Sequence, residues 1–453
     1  MKPINRTCIP SHVLKKSEIS CGRKTFLRLI ALSLCLSLLV LSALSLSGCA
    51  MRTSVSTKDL MQDITPASVA GRSACEAFIK SNADFSVKLF QKTVAGNGKE
   101  NTVISPLSAM LVLAMTANGA DGETKEQMEK LLGGDISLEQ LNEYLHACLN
   151  GLSSSEKSKL SIANSIWFRD ADRLSVEKNF LQTNADYYGA QIYKAPFNKT
   201  TLNDINLWVK ENTDGMIDGI LEEISDSAVM YLLSAMALDA EWEETYKKED
   251  VKDGFFDTDD GFRRKAEMMH SNESKFFCDD TVDAFMKLYK GGKYGFVAFL
   301  PNEDVSIDEY IGTLDGGKYA EIVGNLINGI TNAEYSGSVS VYMPKFGYDC
   351  SFDLSQTLVD LGMKNAFDGV KADFSKLGRS SAGNIFISRV KQKTFIAVDE
   401  RGTRAGAVTL AEMMDGGPMI FKTINLDRPF VYAIVDAESG LPLFMGAVKD
   451  ITK

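Results

Sequence analysis

The side chains able to carry out covalent or acid–base chemistry are few in this chain and scattered. There are three histidines in 453 residues. His12 belongs to a leading segment with the marks of a secretion signal, which leaves His146 and His270 as general bases. Neither stands in a G-x-S-x-G elbow, an H-E-x-x-H helix, a P-loop or a G-x-G-x-x-G turn, so a Ser-His-Asp hydrolase has almost no candidates. Asp257-Thr258-Asp259-Asp260-Gly261 has the composition of a calcium loop but the wrong ligand spacing, and Asp-Gly between Phe255-Phe256 and Phe262 reads as a hairpin turn. Cys75, Cys148, Cys278 and Cys350 are widely separated singles without a C-x-x-C pair, which argues against a metal cluster. They read as core or surface thiols, with one disulfide left open. The unusual stretch is Val398 to Pro429. Every second residue from Thr403 gives Thr403, Ala405, Ala407, Thr409, Ala411 and Met413, small until the last; the intervening set is Gly402, Arg404, Gly406, Val408, Leu410 and Glu412. Side chains on a strand alternate with a period of two, so one face of this segment could pass under close-packed layers while the other tolerates charge. It reads as a loop built to become a strand. The competing reading is a flexible Gly/Ala linker.

The elements that would position such a segment follow from composition and periodicity. With 45% hydrophobic and 24% charged residues the chain can bury a large core. Its net charge is −11; the first 48 residues contribute +6 through seven Lys/Arg against one Glu, leaving −17 for the rest, which makes nucleic acid an unsuitable partner. That first part has a basic start, an apolar run from Leu29 to Leu46, and Leu46-Ser47-Gly48-Cys49, a secretory signal too interrupted by serines to span a membrane comfortably. Met51 to Gly71 is rich in Ser, Thr and small residues and reads as a tether, so ordered structure is expected from Ser73. Ser105 caps a helix with Pro106 at its first position, apolar on most sides through Leu107, Met110, Leu111, Leu113, Ala114 and Ala117, and therefore deeply buried. Thr124…Gln127 and Ser137…Gln140 read as capping boxes of two further helices. Leu160 to Phe168 alternates as a half-buried strand, and Leu232 to Trp242 is a long apolar one. Without further help the class is α+β with many strands and no repeat.

Several of these stretches resemble one family. Glu400, Gly402, Thr403, Ala405, Gly406, Ala407 and Thr409 match the reactive-centre loop hinge of the serpins. Asn101-x-x-x-Ser105-Pro106-x-Ser108, followed by Asn118-Gly-Ala-x-Gly122-x-Thr124, is similar to their N-terminal signature. Ala163-Asn164-Ser165-Ile166-Trp167, Asn206-Leu-Trp208-Val209 with Thr213, Gly215 and Ile217, Met343-Pro344-Lys345-Phe346, and Pro429-Phe430 with Leu443-Phe444-Met445-Gly446 fall in the family's order. The resemblance runs from about Ser73 to Ile451, and Leu-Ser-Gly-Cys resembles a bacterial lipobox. It implies a lipoprotein signal peptide over 1–48, a flexible tether over 49–72 from a lipidated Cys49, and a single serpin domain over 73–453. The implied fold has three β-sheets, about eight or nine helices and an exposed reactive-centre loop near the C-terminus.

In function, the resemblance implies a suicide inhibitor of extracellular serine proteases, with cysteine proteases as a second target class, acting by loop cleavage and strand insertion. The alternative is a non-inhibitory member acting as a surface binding or structural protein. Counting about seventeen residues inclusively from Glu400, as the family does, reaches Gly416, whereas the Gly417–Pro418 bond is disfavoured because proline's ring restricts the leaving residue and removes its N–H. The reactive bond is expected at Gly416–Gly417, within a window that includes Met413, Met414 and Asp415. With no Arg or Lys there, elastase- or subtilisin-like targets are expected. Ser105, Ser108, Ser234 and Gln392 stand in the region where the family's central sheet opens. Ser234 replaces the family's Asn, Gln392 replaces its His near the top of the opening sheet, Met216 replaces a Lys, and Arg404 replaces an acidic residue. The helix after Ser137 carries Glu139, Glu143 and His146 and no basic stripe, so no glycosaminoglycan is expected. No cofactor or metal is expected either, and the protein is expected to be a monomer held to the membrane by lipid.

Overall fold

The computed structural model describes residues 57–152, 155, 157–170, 174–330, 337–381, 383–403 and 422–452. The strands are β1 (Lys58–Asp59), β2 (Thr102–Ile104), β3 (Ser158–Arg169), β4 (Leu174–Val176), β5 (Gln191–Ala195), β6 (Met230–Glu241) and β7 (Val251–Asp257). They continue as β8 (Arg263–Glu273), β9 (Phe276–Cys278), β10 (Val282–Leu288), β11 (Tyr294–Pro301), β12 (Val339–Pro344) and β13 (Phe346–Asp353). The last are β14 (Gly378–Ser380), β15 (Arg389–Val398), β16 (Gly402–Thr403), β17 (Thr423–Asn425), β18 (Phe430–Asp436) and β19 (Pro442–Val448). Nine helices lie among the described residues: α1 (Glu76–Asn97), α2 (Pro106–Ala117), α3 (Gly122–Leu132), α4 (Leu138–Gly151), α5 (Lys178–Tyr188), α6 (Lys199–Asn212), α7 (Ile307–Thr313), α8 (Gly316–Asn328) and α9 (Ser355–Asp360).

These elements make three sheets and a small ribbon. A seven-stranded sheet runs β1-β5-β3-β6-β16-β15-β13, a six-stranded one β2-β19-β18-β11-β10-β9, and a four-stranded one β17-β12-β8-β7, while β14 pairs with β4 alone. The hairpin expected at Asp257–Gly261 joins β7 to β8, which pair from Val251↔Met269 to Asp257↔Arg263. Its turn is closed by Thr258, whose N–H donates to Phe262 O at 2.8 Å and whose hydroxyl accepts from Phe262 N at 2.9 Å.

Helix α2 is the spine. Ser105 caps it by accepting from Ser108 N, Pro106 occupies the first turn, and all twelve residues are buried. It packs against β3 and β6 of the central sheet on one side and β19 on the other, so an amphipathic pattern would leave polar groups unsolvated; the uniform apolarity of its sequence is the physical requirement. β6 is covered on both faces in the same way, with Asp239 its only residue not fully buried.

Two expectations are corrected. Met51–Gly71 was expected as a tether, yet from Thr57 onward the described chain lies on the domain. Thr57 Oγ1 donates to Asp204 at 2.7 Å, β1 extends the central sheet by pairing with β5, Gln182 Nε2 donates to Thr65 O at 2.9 Å, and Arg72 meets Glu143 at 2.7 Å. Composition sees only local propensity, whereas this segment is held by partners 71 to 147 residues away. The box at Thr124…Gln127 also fails: α3 begins at Gly122 after Asp121, and Thr124 Oγ1 instead accepts from Asp373 N at 3.0 Å. The Ser137 cap is present as expected, accepting from Gln140 N. Among the described residues no helix is long and apolar enough to cross a membrane.

Candidate functional site

The central sheet contains a seam. Over its lower part β6 and β15 pair directly and in parallel, from Arg389↔Tyr231 to Thr394↔Met236. Above that they part, and β16 fills the gap, with Thr403 opposite both Ala240 of β6 and Val398 of β15. The strand after β15 thus turns back and enters the sheet for two residues. Thr403 is buried, and its hydroxyl contacts that of Tyr289, itself stacked on Trp242 at 4.5 Å.

The turn that makes this re-entry is fixed from three sides. Asp399 Oδ1 accepts from Arg401 N (2.8 Å) and Gly402 N (3.3 Å); Trp242 donates its indole N–H to Asp399 O at 2.9 Å and its backbone N–H to Arg401 O at 2.8 Å; Tyr246 N donates to Glu400 O at 2.9 Å. The Glu400 carboxylate takes Lys345 Nζ at 2.8 Å, and the same ammonium meets Glu267 at 3.2 Å. The hydrogen bond from Lys345 holds the Glu400 carboxyl below its ordinary range. Behind the turn, Lys287 is buried against Glu273 at 2.9 Å and over the Tyr246 ring at 4.7 Å. Burial pulls its pKa down, but Tyr246 and Glu273 push harder the other way, and it stays cationic.

Halfway down the seam the structure brings together the four residues expected there. Gln392 Nε2 donates to Ser105 O (2.8 Å) and Ser234 Oγ (3.3 Å), and its Oε1 accepts from Ser105 N (3.0 Å). Ser108 Oγ lies 2.6 Å from Ser234 Oγ and donates to Asn164 at 2.8 Å. The cluster joins the N-terminus of α2 to β3, β6 and β15. Gln392 is not near the top of the opening sheet, as expected, but six residues before Val398, partway up β15, which rises from the foot of the seam to its head. At the foot, Ser388 Oγ accepts from Val229 N (2.8 Å) and Met230 N (3.4 Å), and Ser388 N donates to Met230 O. Ser388, Asn164, Lys345, Trp242 and Tyr289 had no assigned site role in the sequence reading. Lys345 and Trp242 stood inside quoted motifs, so the signal was there; Ser388 carries none.

Helix α6 packs against β3, and the turn after it reaches Lys159 and Ser161 of β3 through Asp214. Asn206 clamps that turn, accepting from Ile220 N (2.8 Å) and Leu221 N (3.0 Å) and donating to Leu221 O (2.7 Å). A cavity of about 690 Å3 opens between residues 218–223 and the outer face of β15, where Arg389, Lys391 and Lys393 project. Beyond Lys422, which meets Asp283, the chain returns as β17, parallel to β12 from Thr423↔Ser340.

Cys49, Ala405, Gly406, Ala407, Thr409, Met413, Met414, Asp415, Gly416 and Gly417 lie outside the described residues. Among the described residues the rings of His146 and His270 have no carboxylate partner. His146 bonds Tyr187 O and Asn150, and His270 bonds Ser340 Oγ at 2.9 Å. Among the described residues Cys75, Cys148, Cys278 and Cys350 form no disulfide; burial pushes Cys148 and Cys278 up to about 12 and Cys350 up to about 11, too high for nucleophiles. Among the described residues no group of three ligating side chains could hold a metal. The geometry is therefore that of a sheet whose β6 and β15 pair directly over the lower part of one seam, with a segment of the same chain seated between them at its head.

Comparison with known proteins agrees with that description. The family model described as "Serpin (serine protease inhibitor)" matches residues 80–451. A serpin-like protein of Thermococcus kodakarensis is 30% identical over 370 residues, covering 78% of this chain and 82% of its own. The horse leukocyte elastase inhibitor is 29% identical, covering 82% of this chain and 98% of its own. The solved native state of tengpin, a thermophilic serpin, superposes with a TM-score of 0.82 at 48% identity, covering 87% of this chain and all of its own.

Proposed function

Because the chain belongs to the serpin family, we propose that it is a suicide inhibitor of extracellular serine proteases of elastase or subtilisin type, which traps its target by loop cleavage and strand insertion. The observation that carries this reading is the double pairing of Thr403 at the head of the seam. A protease that forms an acyl-enzyme with a bond between Thr403 and Lys422 releases the N-terminal side of the segment from its distal anchor. That side can then continue where Thr403 stops.

The observed register states what each residue would meet. Antiparallel to β6 and β15, every step beyond Thr403 moves one residue back along both strands. Ala405 would stand between Leu238 and Ile396, Ala407 between Met236 and Thr394, Thr409 between Ser234 and Gln392, and Ala411 between Leu232 and Val390, all on the buried face with Thr403. The other set would meet Asp239 at Arg404 and Arg389 at Glu412, opposite charges both times. β6 supplies partners as far as Met230, opposite Met413, which agrees with a reactive bond after that residue. Ten steps at about 3.3 Å would draw Met413 roughly 33 Å from Thr403. Two antiparallel ladders replace one short parallel one, so roughly a dozen additional hydrogen bonds at about 0.5–1.5 kcal/mol net give on the order of 10 kcal/mol before burial is counted. Distorting a protease active site is within that range, since loss of one oxyanion donor slows acyl transfer by roughly 100-fold.

Residence outside the cytoplasmic membrane, with lipid on Cys49, belongs to the same reading and is supported by Leu46-Ser47-Gly48-Cys49 after the apolar run. The test is incubation of the protein with elastase-, subtilisin- and trypsin-like proteases, resolved on a denaturing gel with mass spectrometry. An SDS-stable adduct is expected, with a C-terminal fragment beginning at one of the residues from Met414 to Gly417. Cleavage by every protease without adduct would replace this reading with a non-inhibitory member of the family, and melting of the cleaved protein would report whether the strand inserts at all.

A further inference from the structure

The chain enters the domain at one end of the central sheet, and the register says which. Lys58 of β1 stands opposite Lys194 of β5, Lys194 opposite Phe168 of β3, and Phe168 opposite Met230, the first residue of β6. Thr403 stands opposite Ala240, ten residues further along β6. At about 3.3 Å per residue the two levels lie roughly 33 Å apart, so Lys58 marks the foot of the seam while the reactive segment leaves from its head. Direction agrees with level. β3 runs from head to foot, β5 is parallel to it and β1 antiparallel to β5, so the chain followed back from Asp59 to Lys58 heads off the foot. Thr57 is buried there, its hydroxyl donating to Asp204 of α6 at 2.7 Å.

Cys49 precedes Thr57 by eight residues. Eight steps reach at most about 29 Å even when fully extended, less than the distance from foot to head. In the inserted register the new strand ends opposite Met230, at the level of Lys58 and four strand spacings from it across the sheet, about 19 Å. A protease domain of about 200 residues has a radius of gyration near 16 Å and is roughly 40 Å across, wider than that tether is long. We propose that the foot of the central sheet, around Lys58 and Lys199, is the pole of the molecule that faces the lipid surface. The reactive segment is thereby presented away from the membrane, to proteases arriving from the surroundings, and insertion carries the captured enzyme down against the bilayer. The length of the tether then bears on whether an attack ends in trapping or in release. This rests on the readings that Cys49 carries lipid and that the cleaved segment inserts.

The experiment reconstitutes the mature, full-length protein in phospholipid vesicles and has two arms. In the first, a donor dye is placed through Lys199→Cys at the foot or Glu244→Cys at the head, both exposed positions, each combined with Cys75→Ser to remove the exposed native thiol. Energy transfer to acceptors on the lipid headgroups is expected to be strong from the foot and severalfold weaker from the head; equal transfer from both overturns the orientation. The second arm adds elastase- and subtilisin-type proteases and measures adduct as a fraction of all cleaved protein. It compares the natural tether with one lengthened by about thirty Gly/Ser residues between Cys49 and Thr57, which raises the root-mean-square reach to about 34 Å. The adduct fraction is expected to be at least about twofold lower with the natural tether, because insertion there must work against the lipid surface while deacylation does not. Equal fractions overturn delivery of the enzyme against the bilayer and leave inhibition standing. Cleavage without adduct on both tethers removes the inhibitor reading, and the dye measurement alone then decides which pole faces the lipid. A mature chain that carries no lipid overturns the proposal outright.

Discussion

At Gly402 a side chain has nowhere to go: a Cβ built there would fall on the carbonyl oxygen of Ala240 and within 2.8 Å of Glu241 Cα, both backbone atoms that cannot step aside. Gly402→Ala is expected to drive β16 out of the head of the seam and to cost about 1–3 kcal/mol, read as a lowered urea midpoint at unchanged slope. Two residues away, the Glu400–Lys345 pair makes a pH prediction. The hydrogen bond from Lys345 lowers the Glu400 pKa in the folded state, so the pair's contribution is present above the ordinary carboxylate range, about 4.3, and is lost as pH falls through the depressed folded value. Since 37% of the Glu400 side chain is exposed, solvent screening limits the effect to about 1 kcal/mol or less. Glu400→Gln is therefore expected to be slightly less stable than wild type at pH 7, with the difference closing on acidification as followed by thermal melts from pH 7 to pH 3.

At the scale of elements, the Gln392 amide links α2, β6 and β15, and all of its partners are buried. Gln392→Leu leaves Ser105 N and O without that partner inside the fold, so a loss of roughly 2 kcal/mol or more is expected in chemical denaturation. Much of this architecture was legible beforehand. α2 could be placed because Ser105-Pro106 fixes its start and its apolar circumference fixes its depth; the β7–β8 hairpin could be placed because Asp-Gly between aromatic strands has few other uses. The four seam residues were also nameable from motif. What escaped was set by distant partners. β1 exists because β5 has a free edge for Lys58 and Asp59, and nothing in those two residues says so. The start of α3 moved because Thr124 serves the Asp373 backbone rather than its own helix. The role of Ser388 depends wholly on β6 beginning beside it.

For the molecule as a whole, the question is how the form described above compares in stability with one carrying an inserted strand. Arg404 separates the two. In the register set by Thr403 it would lie opposite Asp239, so Arg404→Glu would place like charges side by side only after insertion. The intact variant is expected to melt within about a degree of wild type, whereas the loop-cleaved variant should fall measurably below cleaved wild type, since surface charge pairs contribute roughly 0.2–1 kcal/mol each. Differential scanning of the four samples checks this, and equal shifts in both forms would show that the register continues differently from the one Thr403 starts.

The parallel pairing at the foot of the seam also bears on how the protein is made. β15 follows β6 by about 150 residues, yet it precedes Thr403 by only five. Hairpins close in roughly 1–10 μs, while pairings between remote segments must first overcome loop entropy and form far more slowly. A chain emerging from the ribosome offers β6 and the body around it before its local rival has been synthesised. A chain diluted from denaturant offers both at once, and the nearer competitor arrives first. One sequence should therefore give two products according to its history, with a heat-resistant fraction in refolded material that freshly synthesised protein lacks.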